Sequence, residues 1–127
     1  GVMLLDSNII IYGSKPEHAF LRALLAHDDS VVSGISYPEV LGYTGLTPAE
    51  SSVLDAFFST TPMLAVDDPV LRQAAKLKQQ RKLKLGDAIV AATAMIHRLT
   101  LATRNVSDFS WVPGLTLFNP FDRPAMG

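Results

Sequence analysis

The chain alternates short, unbroken apolar runs with longer segments of helical periodicity. Val2-Met-Leu-Leu5 is apolar throughout and stops at Asp6-Ser7-Asn8, which reads as a buried strand followed by a turn. Val31 to Gly34, Met63 to Val66, Leu99 to Thr103 and Leu115 to Phe118 repeat the pattern. Between these runs, apolar positions recur at helical spacing. Ala19, Phe20, Leu21, Leu24 and Leu25 share a face. Ser36-Tyr-Pro-Glu39 opens a segment carrying Val40, Leu41 and Tyr43, and Thr47-Pro-Ala-Glu50 opens another that runs to about Phe58. Asp67-Asp-Pro69 starts a helix through Ala74, Ala75 and Leu77. Gly86-Asp87 starts the most apolar one, through Ile89, Val90, Met95 and Ile96. The five strands show no clean in-and-out alternation, as expected of strands covered on both faces. Strands alternating with helices predict an α/β fold, a five-stranded parallel sheet flanked by helices in an α/β/α sandwich. Asn119-Pro120 closes the last strand, and residues 121–127 read as a loose tail.

Composition bounds this picture. The 127 residues suit a single domain over 1–127, and 48% hydrophobic residues supply a core. Only 18% are charged, below the ordinary share for such domains. Mean hydropathy is +0.23, which fits apolar surface buried against a second subunit or partner. The longest apolar run, Ala88 to Ile96, is interrupted by Thr93 and is too short to span a bilayer. No secretory leader pattern opens the chain, so a cytoplasmic protein without membrane association is expected. With no cysteine, disulfides, thiolate zinc sites and a cysteine nucleophile are excluded. The net charge of −1 lacks the basic excess of a simple nucleic-acid-binding module, although bound metal ions can supply an enzyme with positive charge.

The candidate chemistry lies in the acids. Ligands of open α/β sheets bind beyond the carboxyl ends of the strands, and four acids map there. Asp6 follows strand one, and Glu39 lies in the helix after strand two. Asp87 begins the helix before strand four, and Asp108 lies in the loop after it, within Thr103-Arg-Asn-Val-Ser-Asp-Phe109. Carboxylates crowded together repel, and Mg²⁺ or Mn²⁺, which favour oxygen ligands, would remove the penalty. Such ions activate water and stabilise the charge developed in phosphodiester cleavage. Asn8 is placed to orient the acids by hydrogen bonds. Each acid also has a plainer reading. Ser36-x-x-Glu39 and Thr47-x-x-Glu50 are capping-box patterns. Asp6 or Ser7, Asp87, Asp67 and Asp68 all stand where helix caps do. Glu50 follows no strand end and is read only as a cap.

These residues resemble a known family. Leu4-Leu-Asp-Ser-Asn8, Ser36-Tyr-Pro-Glu-Val40, Gly86-Asp-Ala-Ile-Val-Ala-Ala-Thr-Ala94, Thr103-Arg-Asn-Val-Ser-Asp-Phe109, Val112-Pro-Gly-Leu115 and Phe118-Asn-Pro120 are similar, in order and spacing, to the PIN-domain ribonucleases. Within that family the chain looks like the VapC toxins of type II toxin–antitoxin pairs. The resemblance implies a five-stranded parallel sheet and Mg²⁺- or Mn²⁺-dependent endonucleolytic cleavage of RNA. It implies that Asp6, Glu39 and Asp87 are metal ligands and that Asp108 matches the later acid of the fourth block. Asn105 stands where some relatives carry that acid, and Ser7 where relatives carry threonine or serine near the metal. It further implies a homodimer held inactive by a VapB-like antitoxin.

Other features carry weaker signals. Arg72, Lys76, Lys78, Arg81, Lys82 and Lys84 form a basic run that reads as a solvated helix face or as contacts to RNA phosphates. Arg104, beside the candidate site, is a possible RNA contact, or else part of a surface ion pair. His18, His27 and His97 lack metal-ligand spacing. Tyr37, Leu41, Tyr43 and Leu46 read as core packing or as a groove for a second subunit or antitoxin. No Gly-x-Ser-x-Gly motif, dinucleotide fingerprint or P-loop occurs. The competing functional reading is a catalytically silent PIN-like module that binds RNA or protein. A DNA-directed nuclease with the same metal site is a third.

Overall fold

The computed structural model describes residues 1–122. Its strands are β1 (Met3–Leu5), β2 (Ser30–Ser33), β3 (Met63–Leu64), β4 (Thr100–Ala102) and β5 (Leu117–Phe118). They form one sheet in the order β3-β2-β1-β4-β5, with every neighbouring pair parallel. The chain adds strands outward from β1 in one direction, then returns to lay β4 against its other edge. The reversal between β1 and β4 is the topological switch point, where such sheets open a crevice.

Seven α-helices cover the sheet: α1 (Ser7–Gly13), α2 (Arg22–Leu25), α3 (Ser36–Leu41), α4 (Pro48–Thr60), α5 (Asp68–Gln80), α6 (Leu85–His97) and α7 (Val106–Phe109), with a 3-10 segment at Pro16–Leu21 leading into α2. Successive strand residues point to opposite faces, and both faces are buried. Leu4, Val31 and Leu101 pack with Val70, Ala74 and Leu77 of α5, the apolar face of α6 and Phe109 of α7. Their sequence neighbours Leu5, Val32 and Ala102 pack with Ile9 and Ile10 of α1, Leu25 of α2, Val40 of α3 and Leu54, Phe57 and Phe58 of α4. This double burial explains the unbroken apolar strands. Leu4 and Leu5 are both fully buried, each contributing about 1.5 to 3 kcal/mol of transfer free energy.

Several boundaries differ from the sequence reading. Asp6-Ser7-Asn8 does not form a turn, because α1 starts at Ser7. The run Ile9-Ile10-Ile11 is β-branched and looks strand-like, but burial of Ile9 and Ile10 against the sheet overrides that preference. Asp108 lies in the short helix α7 and not in a loop. The expected tail is packed at its start: Phe121 is half-buried, with its ring 5.3 Å from Tyr12 and 5.2 Å from His18 and Phe20. Residues 123–127 of that tail lie outside the described residues.

The caps sort the acids. The Thr47/Glu50 box forms, with the Glu50 amide donating to Thr47 Oγ1 at 3.1 Å and the Thr47 amide to Glu50 Oε1 at 2.9 Å. Asp67 caps α5 by accepting from the Val70 amide, whereas Asp68 pairs with Arg72 at 2.7 Å. The Ser36/Glu39 box does not form. Ile35 stands at the cap of α3 without a side-chain bond, leaving Ser36 and Glu39 free for other partners. Asp6 occupies the cap position of α1, yet its side chain makes no cap bond. Among the described residues, no helix is long and apolar enough to cross a membrane.

Candidate active site

The four acids meet at the carboxyl edge of the sheet, where four segments converge. Asp6 follows β1, Glu39 lies on α3, Asp87 on the first turn of α6 and Asp108 on α7. All four line one cleft of about 430 Å³, with Asn8 and Asn105 on its wall. Asp6 is buried, Asp87 half-buried, and Glu39 and Asp108 exposed.

Hydroxyls hold Asp6 and Glu39 in place. The Asp6 amide donates to the Ala102 carbonyl at 2.9 Å, which ties the end of β1 to the end of β4. One residue further along, the Thr103 hydroxyl donates to Asp6 Oδ2 at 2.8 Å and itself accepts from the Asn105 amide at 3.0 Å. On the other side, the Ser7 hydroxyl donates to Glu39 Oε1 at 2.7 Å and lies 2.8 Å from Ser36 Oγ. Ser7 has one hydroxyl proton, and the carboxylate takes it, so Ser36 must donate to Ser7. The result is a directed relay from Ser36 through Ser7 to Glu39. Gly86 completes the seat: a Cβ at that position would land on the Glu39 carboxylate.

The acids raise one another's energy. Burial pushes the Asp6 carboxyl up from 3.8 to about 6, with the Thr103 hydroxyl opposing and the charges of Asp87 and Glu39 adding to the rise. Burial also raises Asp87; the charges of Glu39 and Asp108 add, and Lys84 opposes. Among the described residues the ion pairs are Lys15 with Glu50 and Arg72 with Asp68, so none of the four cleft acids has a salt-bridge partner there. Perturbed acids in a shared cleft mark a site of chemistry more often than a structural feature.

The donor set suits a hard divalent cation, being all oxygen, anionic and mutually repelling. In the arrangement seen, no three acidic or imidazole groups among the described residues lie close enough to hold an ion. A bound ion would have to draw the exposed Glu39 and Asp108 inward. Asp6 is already set by its hydroxyl partner.

The other residues singled out from the sequence divide. Ser7 orients Glu39 directly. Asn8 is exposed on the cleft wall and makes no bond to the acids, so the role expected of it falls to Ser7, Ser36 and Thr103. Asn105 contributes its backbone amide to Thr103. Arg104 is in no ion pair among the described residues. Its guanidinium lies 4.2 Å from the Phe121 ring and 5.3 Å from that of Tyr12, which lines the cleft. Sequence reasoning passes over Thr103, Ser36 as a donor, and Lys84. Thr103 heads one of the family-like blocks, but its bond to Asp6 depends on β4 pairing with β1, a non-local fact that the chain order does not carry.

Comparison with known proteins agrees with this geometry. A family model described as PIN domain matches residues 3–114. Toxin FitB of Neisseria gonorrhoeae (strain ATCC 700825 / FA 1090) is 29% identical over 141 residues, covering 94% of this chain and 99% of that protein. A solved toxin–antitoxin complex from Klebsiella pneumoniae contains a chain similar at a TM-score of 0.74 and 32% identity, covering 93% of this chain and 97% of that one. FitAcB from Neisseria gonorrhoeae is similar at a TM-score of 0.74 and 25% identity, covering 96% of this chain and 100% of that one.

Proposed function

The chain belongs to the PIN-domain family, and from that premise we propose that it is the toxin of a toxin–antitoxin pair, an endoribonuclease dependent on Mg²⁺ or Mn²⁺. One observation carries the reading: Asp6, Glu39, Asp87 and Asp108 share a cleft at the switch point, act on one another electrostatically and have no salt-bridge partner among the described residues. A silent binding module has no use for that cost. The residues that would hold the cation are Asp6, Glu39, Asp87 and Asp108. When bound, such an ion supplies Lewis-acid polarisation of a phosphoryl oxygen and a more acidic water.

The chain's own groups position and balance charge. Thr103 fixes one oxygen of Asp6, so the carboxylate keeps its orientation when the cleft opens to substrate. The Ser36–Ser7 relay does the same for Glu39. Lys84, at the mouth beside Asp87, supplies the positive charge that a phosphodiester needs to approach four acids. The choice of RNA over DNA rests on the family resemblance.

The similarity to chains of toxin–antitoxin complexes supports a VapB-like antitoxin as partner. Exposed large apolar residues, among them Tyr37, Leu71 and Leu85, support a homodimer or a partner-covered surface. The test is cleavage of a structured RNA and a matched DNA with Mg²⁺ or Mn²⁺, with and without chelator. RNA cleavage abolished by chelator is expected. A folded protein that leaves RNA intact under every metal condition overturns the enzyme reading. Co-purification with the product of the adjoining upstream gene tests the antitoxin.

A further inference from the structure

The acidic cleft does not end at Asp87 and Asp108. Those two residues and Lys84 also form one wall of a second groove of about 540 Å³, which runs along the turn between α5 and α6. Its remaining lining reverses the sign of charge: Lys78, Arg81 and Lys82 on one side, Ser107 and Trp111 on the other. Lys78 is committed to the fold, because its ammonium donates to the Leu83 carbonyl at 2.7 Å and braces the turn. Arg81, Lys82 and Lys84 are exposed, and none has a carboxylate salt-bridge partner among the described residues. Trp111 is half-buried, and its indole N–H donates to the Asp108 carbonyl at 2.9 Å, which fixes the ring beside the last acid of the cleft. The Arg81 guanidinium lies 5.4 Å from the ring centroid.

We propose that this groove is the subsite for the nucleotides flanking the scissile phosphate, with a base stacking on Trp111 and Arg81 and the adjoining phosphates held by Lys82 and Lys84. The proposal rests on the ribonuclease reading and deepens it by assigning the strand a path and a single-stranded form. Cations that track a backbone beside a flat aromatic face are the combination that binds unpaired nucleic acid. A duplex has its bases stacked internally and cannot offer one to Trp111. The continuity of the two cavities gives the path, since a strand seated in the basic groove passes Asp87 and Asp108 on entering the acidic cleft.

Trp111 is the chain's only tryptophan, so its emission reports this groove alone. The experiment titrates the protein, in chelator to prevent cleavage, with a labelled single-stranded RNA of about 12 nucleotides, following tryptophan emission and RNA anisotropy together. Quenching that tracks the anisotropy is expected. The Arg81→Ala/Lys82→Ala variant should weaken binding about tenfold and flatten the salt dependence of log Kd by roughly 1.4, the value for two lost phosphate contacts on a single strand. Trp111→Leu should weaken binding roughly five- to a hundredfold, and Trp111→Phe should recover part of that loss. Arg72→Ala, whose side chain pairs with Asp68 outside the groove, should bind as the parent does. Binding without any change in Trp111 emission, or with the parent affinity and salt slope in Arg81→Ala/Lys82→Ala, overturns the subsite while leaving the nuclease reading intact. A parent that neither binds RNA nor cleaves it with Mg²⁺ or Mn²⁺ overturns both.

Discussion

Asp6 carries the clearest electrostatic cost in the molecule. Its carboxyl is raised from 3.8 to about 6, first by burial and then by Asp87 and Glu39 against the pull of Thr103. Between about pH 4 and pH 6 the folded chain therefore binds more protons than the unfolded one. Stability falls as pH rises through that window and stays lost above it, by about 3 kcal/mol from this group. Without metal, Asp6→Asn should melt higher than the parent at neutral pH by roughly 10 °C, with the gap closing toward about pH 4. Equal melting across that range would show that the cost is relieved elsewhere. Gly86 makes a sharper prediction. Alanine is the better helix former there, but its Cβ would occupy the Glu39 carboxylate position. Gly86→Ala should keep or raise thermal stability while cleavage drops at least about tenfold. Thr103→Val should keep the fold and lose about ten- to a hundredfold in activity or metal affinity by freeing Asp6. A kinetic assay beside a melting curve checks both.

At the scale of elements, the helix ends decide which polar residues are available for chemistry. The capping box at Thr47 ties Glu50 to its own backbone and to Lys15, so the plain reading of that acid holds. The same pattern at Ser36 is not used as a cap, and its two side chains serve the cleft instead. Local sequence could not separate the two cases, because the difference lies in Ser7, which is 32 positions from Glu39. Helix α6 ends on Arg98, the one non-glycine residue at positive φ (56°) among the described residues, with the Leu99 amide reaching back to the Ala94 carbonyl. That left-handed stop suits glycine and costs a side-chain-bearing residue about 1 kcal/mol. Arg98→Gly should accordingly raise stability by up to about 1 kcal/mol in denaturant unfolding, and a loss of stability would show that the Arg98 side chain contributes more than its backbone costs.

The whole molecule turns on the order in which the strands are laid down. The alternation of buried runs and helices, the parallel sheet and the acids at strand ends were legible in the sequence, because each is a local pattern repeated along the chain. The β3-β2-β1-β4-β5 order was not, nor was the Thr103 bond that the β1–β4 pairing makes. Helices α1 and α7 escape a local reading for a related reason: each is held by burial against the sheet, Ile9 and Ile10 for α1 and Phe109 for α7, and not by local propensity. The acidic cleft and the basic groove beside it likewise depend on tertiary structure, which places Lys84 between acids drawn from four segments. A ligand that binds only the folded state stabilises it, by about 2.7 kcal/mol at a hundred times its Kd. Mn²⁺ should therefore raise the melting temperature of the parent, and the rise should vanish in Asp87→Asn.

The central claim is that these carboxylates form a metal-dependent ribonuclease centre. The most direct test is single-turnover cleavage of one RNA as Mn²⁺ is raised from zero, for the parent and for Asp6→Asn, Glu39→Gln and Asp87→Asn, each shown to be folded. The account predicts a parent rate that starts at background, saturates with Mn²⁺ and falls by about a hundredfold or more in every variant. Cleavage by the parent that is undiminished in chelator, or variants that cleave as fast as the parent, would contradict it.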